Sequence, residues 1–326
     1  MKVFFKLLRN PTSLTGIVLL VGFVLVALFA PMLAPPEERA RDPYMIPRDG
    51  FSTAPNPPSE EHRLGTTEGQ YDIYYGVVWG TRTAFRIGVV ITLVTLIVGL
   101  FIGSISAFYG GWVDEVLMRM TEIFQAFPFL LAAITLTSVL QTIYGRGEAG
   151  GLMFIANILA FLTFGHNPTQ QVDPLQLQIL TGMIAIIFFG WMTYARVIRG
   201  NILALKEFEY SMAARVIGAS NMRILFRHLL PNAVFPVLVM ASMDIGSYVL
   251  TFAALSFLGL GAQRGYADWG QMISFARNWI PSLADHWHIV VYPGVAIVLF
   301  VLSWNLVGDA LRDILDPRMR GRGAGL

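Results

Sequence analysis

The chain has 326 residues, 55% of them hydrophobic and 13% charged, and its mean hydropathy is +0.59. A soluble domain carries about 25% charged residues, so this chain lacks the polar surface needed to cover a water-soluble globule of its length. A net charge of +2 gives no bulk attraction to nucleic acid, and the absence of cysteine excludes disulfides, thiolate metal sites and cysteine nucleophiles.

The first apolar run, Leu14–Leu33, contains no charge and follows Lys2, Lys6 and Arg9. A bilayer crossing needs about 20 mostly apolar residues, and this run supplies them. A signal peptide is the competing reading, but the run exceeds a signal core of about 7–15 residues. Pro31 and Pro35 also stand where small residues would mark a cleavage site, so an uncleaved anchor is predicted. Ala34–Glu61 is rich in proline and charge and predicts an extended external loop. Glu68–Gly80 mixes aromatic and polar residues, as an amphipathic approach to the second span would.

Further spans are predicted at Ile87–Phe108, Ile123–Leu140, Leu177–Val197, Ala233–Leu255 and His288–Val307. Gly151–Gly165 is apolar but short, and reads as an interfacial or re-entrant segment, or as a helix packed on the others. Leu258–Asp285 forms a second external segment, where Trp269, Trp279 and Trp287 suit the membrane–water interface. The chain divides into an N-terminus with anchor (1–34), an external loop and approach (35–82), a five-helix core (83–312) and a tail (313–326). Positive charge sets the orientation. With an inside N-terminus, the internal segments and the edge residue Arg196 hold fourteen of the twenty-three basic residues, including all three lysines. The predicted fold class is thus an all-α membrane protein of six transmembrane helices with both termini cytoplasmic.

The longest internal loop, Lys206–Asn232, has a composition that favours helix over disorder. A helix over Lys206–Ile217 ends at Gly218, a residue type common just past helix ends. Ser220 is placed to cap a second helix, Asn221–Leu230, and Pro231 to start the next span. Two short helices joined by a tight turn result. Ala213 and Ala214 are small enough to admit a close partner.

The pattern Ala213–Ala214–x3–Gly218–x9–His228–x–Leu230–Pro231 resembles the cytoplasmic "EAA" loop of bacterial ABC importer permeases. Glu209–Tyr210 before the alanines and Arg227–Asn232 (RHLLPN) after them resemble its dipeptide/oligopeptide branch. Leu255–Gly261 (LSFLGLG) and His62–Thr66 (HRLGT) agree, and the anchor plus long external loop is similar to the C-type subunit. Met212 stands where the general motif has glutamate, and TEGQYDIYYG after LGT departs from that branch. The resemblance implies a coupling helix that seats in an ATPase subunit, with Glu209, Ala213, Ala214, Gly218, Leu230 and Pro231 as coupling residues. It also implies a second homologous permease subunit, two cytoplasmic ATPases that bind ATP and Mg, an extracytoplasmic substrate-binding protein and a bacterial or archaeal cell membrane. Di- or oligopeptides are the implied cargo, with oligosaccharides or nickel chelates as alternatives.

No lysine follows a glycine, so a phosphate-cradling P-loop is absent and the chain is predicted to be non-catalytic, without a cofactor of its own. Asp285-His286-Trp287-His288 reads as interfacial rather than as a metal site. Asp244 lies about 20 Å along a helix from Pro231, near mid-membrane. A carboxylate there must face protein or a cavity. It either lines the translocation pathway or pairs with a basic or hydroxyl group on a neighbouring helix. An ion-coupled secondary transporter, the rival class, would carry inverted repeats with broken helices and several intramembrane charges, and no repeat is visible.

Overall fold

The computed structural model describes residues 10–37, 42–50, 52–146, 150, 152–165 and 173–315. Lys2, Lys6, Arg9 and the tail arginines of the charge argument lie outside these. The described residues form helices α1 (Pro11–Leu33), α2 (Ile73–Tyr109), α3 (Gly111–Gln125), α4 (Phe129–Gly145), α5 (Leu152–Phe164) and α6 (Pro174–Lys206). After them come α7 (Glu209–Val216), α8 (Asn221–Arg223), a π-turn (Ile224–Leu229), α9 (Leu230–Ala233), α10 (Phe235–Phe257), α11 (Trp269–Ser274), a 3₁₀ segment (Phe275–Ser282) and α12 (His288–Leu315). Among the described residues no β-strand forms, only isolated bridges such as Met45–Tyr266.

Among the described residues, five helices (α1, α2, α6, α10 and α12) are long and apolar enough to cross a bilayer; a sixth crossing arises if α3 and α4 count as one. These two meet at a break bent by 89°, so the predicted straight span Ile123–Leu140 is corrected to a broken pair. The cause is Pro128, whose ring bars helical geometry at Phe127 and whose own ψ of 122° turns the chain away. The predicted second span also lengthens, from Ile87 back to Ile73. Arg82 and Arg86, which end the apolar run, remain helical because they lie over the rings of Trp79 and Tyr44 at 5.2 and 4.5 Å.

The short helix α5 returns to the end of the bundle that it leaves. Gln141 at the end of α4 donates to the Leu260 carbonyl (2.8 Å), and Gln178 at the start of α6 donates to that of Gly259 (2.9 Å). The segment after α10 therefore holds both flanking helices. In the core, α2 and α6 approach backbone to backbone through Gly99 and Gly103, spaced as a small-xxx-small pair. α1 packs on the outside of the bundle, where Gly16 abuts Leu306 and the Phe23 ring meets Phe300 edge-on at 5.3 Å.

The segments between α1 and α2 and between α10 and α12 build one cap. Gly65 of the HRLGT stretch has φ of +80°, and a Cβ there would lie 2.6 Å from the Asn56 carbonyl and 2.8 Å from the His288 ring. His62 donates to Asp72 at 2.7 Å while Asp72 caps α2 by accepting from the Tyr75 N–H (2.7 Å). In LSFLGLG, Gly259 at φ +84° closes α10, and Ser256 Oγ accepts from the Ala262 N–H. Glu68, in the stretch that departs from the peptide branch, joins the two segments by accepting from Arg264 (2.6 Å), Asn278 (2.7 Å) and Trp279. Burial raises its carboxyl, but these donors outweigh burial and hold it below its ordinary range.

Asp268 caps α11 from a buried position, accepting from the Gln271 N–H at 2.8 Å. Burial pushes its carboxyl from 3.8 up to about 6, against opposing hydrogen bonds from Gln271, Ser256 and Gly270. The folded chain thus holds this proton more tightly than the unfolded chain. The stability it confers is present in full below the unfolded value and is lost as pH rises through the folded one. Thermal unfolding in detergent between about pH 4 and about pH 7 should therefore show a declining midpoint that Asp268→Asn flattens, since asparagine keeps the cap. Parallel pH profiles for the two proteins would refute this assignment.

Candidate functional site

The end of α6 is fastened before the hairpin begins. Arg199 places its fork on Asp114 of α3, with both N–H···O distances at 2.5 Å, and the Ser106 hydroxyl of α2 donates to the same carboxylate. Two turns on, Lys206 Nζ donates to the carbonyls of Ala107 (2.6 Å) and Phe108 (2.8 Å), where the negative end of the α2 dipole favours a cation. Asn201 donates to the Ala233 carbonyl at 3.0 Å, which fixes the far end of the hairpin to α6.

The chain then breaks at Glu207–Phe208, so the first hairpin helix is α7, starting at Glu209 rather than at Lys206 as predicted. Its acidic first residue suits the positive helix start. Gly218 has φ of +79° and the Ala219 N–H returns to the Ala214 carbonyl at 3.0 Å, the Schellman closure that the sequence position anticipated. No atom lies within 4 Å of a Cβ added at Gly218, so its requirement for glycine is one of backbone conformation alone. Ser220 caps α8 with its backbone carbonyl, which accepts from Ile224; its side chain makes no capping bond. The helix then widens into the π-turn Ile224–Leu229 before Pro231. Proline lacks an N–H and its ring crowds the carbonyl four residues earlier; the wider turn, closed by Leu230 N–H to the Leu225 carbonyl, relieves both.

The hairpin has two faces. Ala214, Ile224, Leu225 and Leu229 are buried against Ile198 and Ile202 of α6 and Ala107 of α2. On the other face Val216 and Ile217 are 86% and 84% exposed, and Tyr210, Met212, Met222 and Phe226 are exposed around them. Of the six predicted coupling residues, Glu209, Ala213, Gly218 and Pro231 are exposed and Leu230 is half-buried. Ala214 instead faces the chain's own core, so of the two alanines only Ala213 is presented outward. Sequence reasoning passed over Val216 and Ile217, although two adjacent apolar residues just before a helix-ending glycine on a polar loop are a visible signal. The Asp114–Arg199 link had no such signal, because its partners lie 85 positions apart.

Asp244 on α10 accepts a hydrogen bond from the Tyr194 phenol of α6 at 2.7 Å. Tyr194 is fully buried, and Asp244 is partly exposed. The hydroxyl partner on a neighbouring helix is thus in place, and the carboxylate ties α10 to α6.

The sequence profile of the "Binding-protein-dependent transport system inner membrane component" family matches residues 99–321, and that of the "N-terminal TM domain of oligopeptide transport permease C" matches residues 2–55. The chain is 33% identical to the dipeptide transport system permease protein DppC of Alkalihalophilus pseudofirmus over 98% of its own length and 90% of that protein's. It is 33% identical to the oligopeptide transport system permease protein OppC of Bacillus subtilis, over 95% and 87% of the two chains. To the glutathione transport system permease protein GsiD of Pectobacterium atrosepticum it is 34% identical, over 85% and 81%. A membrane-capable helical bundle, a fastened hairpin with an apolar outer face and this continuous similarity agree: the chain belongs to the binding-protein-dependent transport system inner membrane component family of ABC transporter permeases.

Proposed function

We propose that this chain is the C-type permease subunit of an ATP-driven importer of di- and oligopeptides, coupled to separate ATPases through the outer face of its hairpin. The observation that carries the coupling is the Val216–Ile217 tip: two apolar side chains exposed in water beside a rigid turn fit a partner that covers them. Two ATPases bind ATP and Mg beneath the membrane, and this chain holds neither. A second, homologous permease completes the pathway, and an external binding protein docks on the cap built around Glu68 and Arg264. The peptide cargo follows from what the similar proteins are named for; glutathione is itself a small peptide.

In this reading the chain crosses six times, through α1, α2, the α3–α4 pair, α6, α10 and α12. The hairpin and both termini lie on the cytoplasmic side of a bacterial or archaeal cell membrane, where Arg199, Lys206, Arg223 and Arg227 obey the positive-inside rule. ATP-driven closure of the ATPases moves the hairpin, and the links from Asn201, Lys206 and Arg199 carry that movement into α2, α3, α6 and α9. Asp244 serves as a link between α6 and α10, with its partly exposed side turned toward the pathway.

Reconstitution tests the whole reading. The two permeases, the ATPases and the binding protein are placed in proteoliposomes and given radiolabelled tri-alanine. ATP-dependent, binding-protein-dependent accumulation is the expected result. Uptake that follows an ion gradient without ATP would move the protein to the secondary-transporter class.

A further inference from the structure

The break between α3 and α4 opens a recess of about 580 Å³ against α6. Its walls are aromatic and apolar: Phe124, Phe127, Pro128, Phe129, Phe189 and Met192. Arg196 is its one charged lining residue, accompanied by Gln125 and Thr193. Arg196 lies ten residues before Lys206, about 15 Å along α6 from the fastened hairpin end. The nearby Arg199 is neutralised by Asp114, whereas Arg196 has no ion pair or hydrogen bond among the described residues. Arg196 is exposed, so its guanidinium is available to a ligand that enters the recess. The break itself is open: irregular backbone in a span is tolerated where it is buried in protein or lines a water-filled cavity, and Phe127, Pro128 and Phe129 are exposed in this chain.

We infer that Arg196 and the aromatic recess beside the α3–α4 break form a transit subsite that receives the carboxylate terminus of the peptide. This rests on the peptide-importer reading above. The guanidinium fork matches a carboxylate in geometry and charge, and the phenylalanine walls accept apolar side chains of any sequence. A peptide carries one such terminus whatever its composition, so a site of this kind holds cargo without selecting among sequences.

The test uses the complete importer in proteoliposomes with tri-alanine and tri-alanine amide as probes, and compares Arg196→Gln with Arg196→Lys. Arg196→Gln should lower the initial rate of tri-alanine uptake roughly tenfold or more, the usual effect of losing a charge-assisted hydrogen bond. Arg196→Lys, which keeps the charge but not the fork, should recover part of that rate, and uptake of the amide should be the same in Arg196→Gln as in the original protein. Binding-protein-stimulated ATP hydrolysis should persist in both variants. Should the binding protein refuse the amide, retained hydrolysis with lost tri-alanine uptake in Arg196→Gln alone supports the subsite, and hydrolysis lost in parallel overturns it. Equal losses for the two probes, or tri-alanine uptake within about twofold of the original, overturn it as well. A loss seen in vesicles containing phosphatidylglycerol but not in phosphatidylcholine alone would assign Arg196 to an anionic lipid headgroup instead. Absence of tri-alanine uptake by the original complex would remove the peptide reading itself, and the subsite with it.

Discussion

Val216→Asp combined with Ile217→Asp is expected to leave the chain folded in the membrane and to abolish both its association with the ATPases and ATP-driven uptake. Neither side chain supports the fold: both project from the turn into water, and the hairpin is held from its opposite face by Ala214, Ile224, Leu225 and Leu229. The substitutions therefore remove no buried contact in this chain. In a docked complex the same positions would be covered, and two carboxylates would be taken out of water with no cation supplied to meet them. An apolar interface anchor contributes about 2 kcal/mol or more, so losing two weakens association by at least about a thousandfold. Phe208 and Tyr210, whose rings stack at 6.1 Å on the same exposed side, extend the patch and are predicted to contribute more weakly. The measurement is co-purification of the ATPases on the tagged permease at equal expression, with the thermal midpoint of the permease as the control for folding. Full retention of the ATPases by the double variant would mean that the motor docks elsewhere.

The parts of this molecule that the sequence announces are those where one residue states a backbone or solvent requirement by itself. Gly218 is such a residue: only its position at the end of a polar helix was needed to foresee the positive φ. The runs predicted to end at Leu33 and Leu255 announce themselves through apolar length, and their helices end at Leu33 and Phe257. Length is misjudged where hydropathy and helix part company. Arg82 and Arg86 interrupt the apolar run but not the helix, because the ring of Trp79 one turn earlier on α2 and that of Tyr44 in the cap receive them. The break at Pro128 was written in the sequence as a proline after Ala126-Phe127, yet hydropathy records composition and not direction. The orientation of Ala214 could not be read, since a short helix with weak periodicity does not say which side meets its neighbours. Long-range pairs are the least legible. Nothing near Asp114 tells that Arg199 will meet it, and nothing near Glu68 tells that Arg264, Asn278 and Trp279 converge on it. Each of those links depends on helices whose packing must already be known.

That packing rests on the contact between α2 and α6, and Gly103→Leu is expected to destroy it. A Cβ at Gly103 would press into the Ala195 carbonyl oxygen and the Ile198 side chain, and one at Gly99 would lie 2.7 Å from the Trp191 carbonyl oxygen. These neighbours are mainly backbone, which cannot swing aside as a long side chain does; α6 itself would have to move. Without a hydrophobic drive between helices in lipid, such close approach is what holds them together. Overpacking a fitted site costs about 1–3 kcal/mol even where side chains can yield, and a leucine wedged between two backbones belongs at or above the top of that range. The consequences reach the functional end, because the same stretch of α6 carries Arg196 and Arg199 and ends in Lys206. Gly103→Leu should therefore fail to give a monodisperse peak on size-exclusion chromatography in detergent. Gly103→Ala should give a reduced yield and a lower thermal midpoint. Gly22→Ala, on a face of α1 with nothing within 4 Å of the new methyl, should behave as the original protein does. A monodisperse, transport-competent Gly103→Leu protein would show that α2 and α6 can part without loss. The hairpin would then have to be held by something other than the helix it is fastened to.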